Sequence, residues 1–113
     1  MHELSLAENL IEILEDEARR QGFRQVRRLW LDVGILSAVE PAALLFAFDV
    51  AARGSCAEGA EIELNTLPGE AWCPACQQVI AINTYHDPCP LCFGHGLKVT
   101  GGSQFQIKEL EVI

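Results

Sequence analysis

Four cysteines in two closely spaced pairs place the tightest constraint on how this chain can fold. Two residues separate Cys73 from Cys76, twelve residues follow, and Cys89 and Cys92 repeat the first spacing. Each C-x₂-C pair presents two thiolates from one tight turn, and a short hairpin between the pairs brings all four to one tetrahedral centre. The spacing therefore predicts a zinc-ribbon module.

The metal expected in this module is a structural Zn(II) ion, because four thiolates leave no coordination position open for a substrate. A rubredoxin-like iron site, a redox-active dithiol pair and disulfides are the alternatives. The knuckles of rubredoxin-like sites usually stand further apart. The odd total of five cysteines and the lack of a basic signal-peptide region favour a cytoplasmic, reducing location, which argues against disulfides.

Five other residues near the cysteines or of similar chemistry receive weaker predictions. Cys56 stands alone and is expected to be a small bystander rather than a ligand or nucleophile. His86 and His95 flank the second cysteine pair and are expected to be exposed loop residues. The alternative is that they tune the zinc site. Trp72 and Tyr85 are candidates for sheltering the sulfurs.

Hydrophobic periodicity predicts two helices and three strands outside the cysteine region. In chain order these are a helix over residues 5–22, a strand over 24–35, a helix over 37–54, a strand over 60–67 and a strand over 104–113. Ser5 and Glu8 fit a capping box, and Pro41 suits a first helical position.

The order of elements predicts a small α/β (α+β) fold with two helices, a three-stranded sheet and an inserted zinc ribbon. We expect the last strand to return to the first sheet, so that the cysteine module interrupts one domain. The expected division is an α/β domain over residues 1–69 and 103–113 and a zinc-binding ribbon over residues 70–102.

Charge and motif content exclude several classes of function. Eight basic and sixteen acidic residues give a net charge of −8, which argues against a nucleic-acid partner because phosphate binding requires a basic surface. No apolar run approaches the ~20 residues that a membrane span needs. We find no general acid–base pair, no activated nucleophile and no phosphate-binding loop, so a non-enzymatic role is expected.

The start of the chain offers a second candidate metal site. The terminal amine, the backbone amide of His2 and an imidazole nitrogen can all reach one ion, and adjacent amides can deprotonate and join them. Near-planar sets of nitrogen donors suit Ni(II) or Cu(II) rather than Zn(II) or Mg(II). Taken alone this signal is weak, because a terminal histidine is more often exposed and without function.

The chain as a whole resembles the HypA/HybF family of hydrogenase maturation proteins. The resemblance runs in the same order over essentially the whole length and rests on "MHELSLAENLI", "VGILSAVEPAALLFAFD", "CPACQQV" with "CPLC", and "QFQIKELEV". Proteins of that family are nickel metallochaperones. They help to deliver Ni(II) to the large subunit of NiFe hydrogenase, often with the GTPase HypB, and in some organisms to urease.

The resemblance implies particular roles for residues of this chain. His2 would be the central nickel ligand, and Glu3 would contribute its backbone and side chain. Glu40 occupies the position before the second helix where a carboxylate is associated with the nickel site in some members. The four cysteines would hold the structural zinc, and nickel would be a transient cargo.

One competing interpretation stays open at this point. The chain could be a zinc-ribbon interaction adaptor whose terminal histidine is incidental. That interpretation predicts one zinc ion and no specific nickel site.

Overall fold

The computed structural model describes residues 2–113 of the chain. Its elements are α1 (His2–Gln21), β1 (Val26–Gly34), one 3₁₀ turn (Ile35–Ser37), α2 (Pro41–Ala51), β2 (Glu61–Leu67), β3 (Gly69–Cys73), β4 (Gln78–Ile82), β5 (Lys98–Gly101) and β6 (Phe105–Val112). Neither helix in this part of the chain combines the length and the apolarity that crossing a bilayer requires.

The strands form two small sheets. The first has the order β2-β1-β6, so the last strand of the chain lies beside the first, as the sequence predicts. The second has the order β4-β3-β5, and both partners of β3 run antiparallel to it. Two helices with small sheets confirm the predicted α+β class.

The chain divides into two compact units. Unit 1 contains the chain up to Leu31, together with Val39–Leu64 and Ile107–Ile113. Unit 2 contains Asp32–Ala38 and Asn65–Gln106. Strands β1, β2 and β6 contribute residues to both units. The boundaries expected from the sequence, near residues 69 and 103, stay a prediction.

Unit 1 is built around the packing of α1 against α2. The buried residues of α1 are Ala7, Leu10 and Leu14, at the three- and four-residue spacing of one helix face. The buried residues of α2 are Leu44, Ala47 and Phe48, and those of the unit 1 part of β1 are Val26, Leu29 and Leu31. The buried residues of both helices thus recur at the helical spacing from which the sequence predicts them.

The end of β1, in unit 2, differs from the prediction. The sequence predicts a strand over residues 24–35, but the strand ends at Gly34, and the side chain of Ile35 is 45% exposed. A Cβ atom at Gly34 would lie 2.0 Å from the carbonyl oxygen of Gly102, so the backbone approaches too closely here for any side chain. The chain turns after this contact, and the turn directs Leu36 rather than Ile35 into the interior.

Unit 2 has its own apolar core around the cysteines. Its buried members are Leu36, Ala71, Cys73, Ile80, Ile82 and Cys89. In the β3–β4 pair Ala71 lies opposite Ile80 and Gly69 lies opposite Ile82. Ile80 and Ile82 stand two residues apart in β4 and are both buried, which is the alternation of a half-buried strand.

Candidate metal centres

The four cysteines predicted to bind zinc meet at one point in unit 2. Their sulfur atoms all lie within 4.8 Å of one another. The Cys73 and Cys92 sulfurs are 3.7 Å apart, and those of Cys76 and Cys89 are 3.9 Å apart. Tetrahedral zinc with Zn–S bonds of about 2.3 Å requires sulfur–sulfur distances of about 3.8 Å. The cluster therefore has the dimensions that a four-thiolate zinc site needs.

Both C-x₂-C pairs are held by the same backbone turn. The N–H of Gln77 donates to the carbonyl of Cys73 at 2.8 Å, and the N–H of Phe93 donates to that of Cys89 at 2.8 Å. Gln77 and Phe93, each directly after the second cysteine of a pair, have φ values of 51° and 60°. Non-glycine residues adopt this left-handed conformation rarely, so the repeated geometry is a specific feature of the two knuckles.

The electrostatics of the cluster favour a cation. Backbone N–H groups of Cys92 and Leu91 stabilise the Cys89 thiolate and lower the pKa of that thiol to about 7. The neighbouring sulfurs, with Cys92 first, and burial raise the pKa of Cys76 to about 12. Four thiolates at this distance cannot all ionise without a positive charge between them. A bound divalent ion supplies that charge, so the donor set fits the implied zinc.

The prediction that aromatic residues shelter the sulfurs is wrong. Trp72 is 38% exposed and Tyr85 is 54% exposed. The shelter comes instead from the aliphatic core of unit 2, with Leu97 packed against it. Trp72 alternates with Cys73 along β3, and the period of two in a strand turns it to the opposite face.

Three further residues with metal-binding chemistry lie outside the cluster. His86 and His95 are both exposed, as predicted for loop residues. Cys56 belongs to unit 1, where its N–H donates to the Glu15 carboxylate at 2.8 Å. Burial, followed by the Glu15 charge, raises the pKa of the Cys56 thiol, which makes it a poor nucleophile and ligand.

The three residues predicted for nickel are linked in unit 1, where the start of α1 contacts the start of α2. Nδ1 of His2 lies 3.6 Å from Oε2 of Glu3. The same Glu3 oxygen accepts a hydrogen bond from the backbone N–H of Glu40 at 3.2 Å. The Glu40 carboxylate in turn accepts from the N–H of Ala43 at 2.7 Å and caps α2. The terminal amine belongs to Met1, which lies outside the described residues.

The capping box predicted at Ser5 and Glu8 is wrong, because α1 already begins at His2. The first turn is held by a contact distant in sequence, the bond between Glu3 and the N–H of Glu40. This contact also lowers the pKa of Glu3, with the Glu40 N–H as the largest cause. The carboxylate of Glu3 is therefore ionised at neutral pH.

The start of the helix at His2 has a consequence for the backbone. The first N–H groups of an α-helix have no intrahelical acceptor. The amides of His2 and Glu3 are therefore available without the loss of a helical hydrogen bond. The His2 side chain is 55% exposed, and the Glu3 side chain is 16% exposed. An open imidazole, amide nitrogens that no helical hydrogen bond uses and an ionised carboxylate thus occupy one helix end.

Solved structures show where this fold has been seen before. One match is the solution structure of the Ni metallochaperone HypA from Helicobacter pylori, with a TM-score of 0.71, 22% identity, and coverage of 98% of this chain and 97% of that one. Another is a solution structure of HypA protein, with a TM-score of 0.73, 23% identity, and coverage of 100% and 97%. The fold and the thiolate cluster thus define a small α+β protein with a zinc-ribbon module.

Sequence relatives are closer than these structures. The chain is 48% identical over 112 residues to the hydrogenase maturation factor HypA of Albidiferax ferrireducens and to that of Azotobacter vinelandii, with 99% of each chain covered. A family profile described as "Hydrogenase/urease nickel incorporation, metallochaperone, hypA" matches residues 1–112. This chain belongs to the HypA family.

Proposed function

We propose that this chain is a nickel metallochaperone of hydrogenase maturation, which carries Ni(II) at the start of α1 while zinc shapes unit 2. Membership of a family described by nickel incorporation supports the role. The observation that carries the location is the chain of contacts that links His2 and Glu3 at the start of α1 to the backbone of Glu40 at the start of α2.

Nickel would be held mainly by nitrogen. The His2 imidazole and the amides of His2 and Glu3, which no helical hydrogen bond uses, would form a compact donor set of the kind that Ni(II) prefers. The positive end of the α1 dipole disfavours a cation, and the carboxylates of Glu3 and Glu40 oppose that effect. Glu3 and Glu40 would therefore act as charge partners or as additional ligands.

Zinc would have a structural role and no part in nickel transfer. The four cysteine sulfurs fill a tetrahedral site, so the ion would fix the two knuckles and the hairpin between them. When bound, the ion supplies the charge that lets all four thiols ionise. The residues of unit 2 then hold one conformation of the surface around the cluster.

A carrier must also release its cargo. Donors on one exposed helix end can leave one at a time, and protonation of nitrogen donors competes with the metal. The protein would act without catalysing a reaction. Its proposed partners are a HypB-like GTPase and the large subunit of NiFe hydrogenase, with urease maturation proteins in some organisms. Its proposed location is the cytoplasm.

The experiment that tests this function measures metal stoichiometry on untagged protein with its native N-terminus. Zinc is determined as purified, and Ni(II) is titrated into the wild type, His2→Ala and His95→Ala. We expect one zinc in all three proteins and one tight nickel that is lost only in His2→Ala. The matched control is His95→Ala, an exposed histidine of unit 2.

The opposite result has a definite meaning. If nickel binding is absent, or if His2→Ala binds nickel as tightly as the wild type, the N-terminal site does not exist. One zinc and no specific nickel would leave the zinc-ribbon adaptor as the better account of the chain.

A further inference from the structure

An apolar groove opens on unit 1 beside the residues proposed for nickel. Its volume is about 300 Å³, and its walls come from the first turn of α1 and one side of α2. The lining residues are Glu3, Leu4, Ala43, Phe46, Ala47 and Val50. We call it the Phe46 groove. Apart from the Glu3 carboxylate, its side chains are entirely apolar.

The exposure of these side chains is unusual for a surface helix. Phe46 is 74% exposed, Val50 is 41% exposed and Leu4 is 40% exposed. Asp49 is the single charged residue among the eleven residues of α2. A helix that is apolar on its outer side as well as its inner side usually has a second surface to pack against.

The spacing of the α2 residues indicates what that surface is. Ala43, Phe46, Ala47 and Val50 stand at positions i, i+3, i+4 and i+7, which form one continuous stripe about 10 Å long. Small residues at Ala43 and Ala47 alternate with the larger Phe46 and Val50. This relief suits the ridge of another helix, which packs by inserting side chains between those of its partner.

The charges around the groove indicate which kind of partner helix it would bind. Glu3 lines one end, and Glu8, one helical turn beyond Leu4, is exposed. Glu40 is exposed at the start of α2, at the same end as Glu3. A second copy of this chain would bring the same acidic residues to a chain of net charge −8. Opposite charge at the rim favours a basic partner instead.

We propose that the Phe46 groove binds one amphipathic helix of a partner protein, whose apolar ridge is flanked by lysine or arginine. The proposal rests on the proposed function for its purpose, since such a helix would be seated directly beside the cargo site. A basic side chain at the Glu3 end would reach the same carboxylate that lies 3.6 Å from His2. Docking and nickel handling would then share one residue.

The test uses a pair of synthetic helical peptides on the full, zinc-loaded chain. One has leucines at i, i+3, i+4 and i+7 with lysines on both flanks, and the other replaces every lysine with glutamate. Binding is followed by amide chemical shifts and by fluorescence anisotropy. We expect the lysine peptide to shift the amides of residues 43–50 and the glutamate peptide to leave them unchanged.

Matched variants separate the groove from other exposed apolar residues. Phe46→Asp should weaken binding of the lysine peptide by at least about tenfold. Phe93→Asp removes an equally exposed phenylalanine, 75% against 74%, in unit 2 and should change affinity less than about twofold. Glu8→Lys should weaken binding and flatten its salt dependence, whereas Glu109→Lys, with the same change in net charge, should not.

Four outcomes would overturn the proposal. They are no binding of the lysine peptide, equal binding of both peptides, equal loss of affinity in Phe46→Asp and Phe93→Asp, and self-association of the wild type that Phe46→Asp abolishes. The last would assign the groove to a second copy of the chain. Nickel and zinc stoichiometry measured on Phe46→Asp should match the wild type, so failure here is distinct from failure of the nickel site.

Discussion

The cysteine cluster and the start of α1 position the atoms proposed to bind metal in opposite ways. In the cluster, each pair of sulfurs is fixed by a hydrogen-bonded turn, and two of the four cysteines are buried. At the start of α1, the imidazole of His2 is 55% exposed and lies on the first turn of a helix. A ligand set fixed by buried backbone keeps its metal, whereas one on an open helix end can exchange it.

The carboxylates sharpen this contrast. No acidic side chain is a member of the sulfur cluster. At the proposed nickel site both carboxylates already accept a hydrogen bond from the backbone. Glu3 accepts from the N–H of Glu40, and Glu40 caps α2 by accepting from the N–H of Ala43. Any nickel that recruits Glu40 must compete with that cap. Nickel binding at the proposed site would thereby be coupled to the structure of the first turn of α2.

The strongest way to break the comparison is to remove one thiolate. Cys73→Ser should abolish zinc binding and collapse the amide dispersion of β3, β4 and β5, while the helical signal of α1 and α2 remains. Binding of structural zinc contributes on the order of 10–16 kcal/mol in small modules, which is as large as the total stability of most domains. Metal analysis and heteronuclear NMR measure both effects.

The control for this prediction is the fifth cysteine. Cys56→Ser should keep one zinc ion and a folded unit 2, because Cys56 belongs to unit 1. If Cys73→Ser keeps one zinc ion and the native amide dispersion, three thiolates suffice. The site would then not be the closed four-thiolate site proposed above.

An N-terminal extension should have the second largest effect, on the other site alone. One glycine added before Met1 moves the terminal amine away from the amide and imidazole of His2. We expect nickel affinity to fall by about 100-fold with zinc unchanged, because the chelate loses its amine donor. Calorimetric titration of Ni(II) measures this, with a glycine added after Ile113 as the control. Equal nickel affinity in both extended proteins would remove the terminal amine from the site.

The sequence predicts the two sites unequally, for a physical reason. The cysteine spacing encodes its own geometry, because each pair is closed by a turn of five residues, and the structure matches it. The contact between Glu3 and Glu40 joins positions 37 residues apart and depends on how α1 packs against α2. No local rule predicts it, and the capping box expected at Ser5 was wrong for that reason.

The exposed apolar face of α2 was not predicted, although the sequence contains an indication of it. The near absence of charge across α2 is visible in the sequence, and it indicates that Phe46 lies on an exposed apolar face. The exposure of Ile35 could not be foreseen in the same way. It follows from the close approach of Gly34 to Gly102, a contact between distant segments of unit 2.

A titration of Glu3 tests the coupling of its carboxylate to α2. Its pKa is lowered below the ordinary 4.5, chiefly by the Glu40 N–H. The stabilisation is therefore present above pH 4.5 and is lost as pH falls through the lowered value. In nickel-free protein, the Glu40 amide shift should follow this titration, with a midpoint below 4.5. Glu3→Gln should abolish it, and a midpoint at or above 4.5 would contradict the contact.

The smallest effect expected is also the most informative about the proposed nickel site. It separates the two roles of Glu40, which are to cap α2 and to contribute negative charge to bound nickel. Glu40→Gln keeps an oxygen that can accept from the Ala43 N–H, whereas Glu40→Ala does not. Loss of a cap should lower the melting temperature by about 3 °C in Glu40→Ala, with Glu40→Gln close to the wild type. Thermal unfolding followed by circular dichroism measures this difference.

Nickel titration of the same two variants completes the argument. If Glu40 contributes its charge to bound nickel, both variants should lose affinity equally, although only one of them loses the cap. If affinity follows melting temperature instead, Glu40 acts on nickel through the start of α2 and is no ligand. If both variants bind nickel as tightly as the wild type, Glu40 is no part of the nickel site, and the donors left are those of His2 and Glu3 on the first turn of α1, in contrast to the four sulfur ligands that two hydrogen-bonded turns fix.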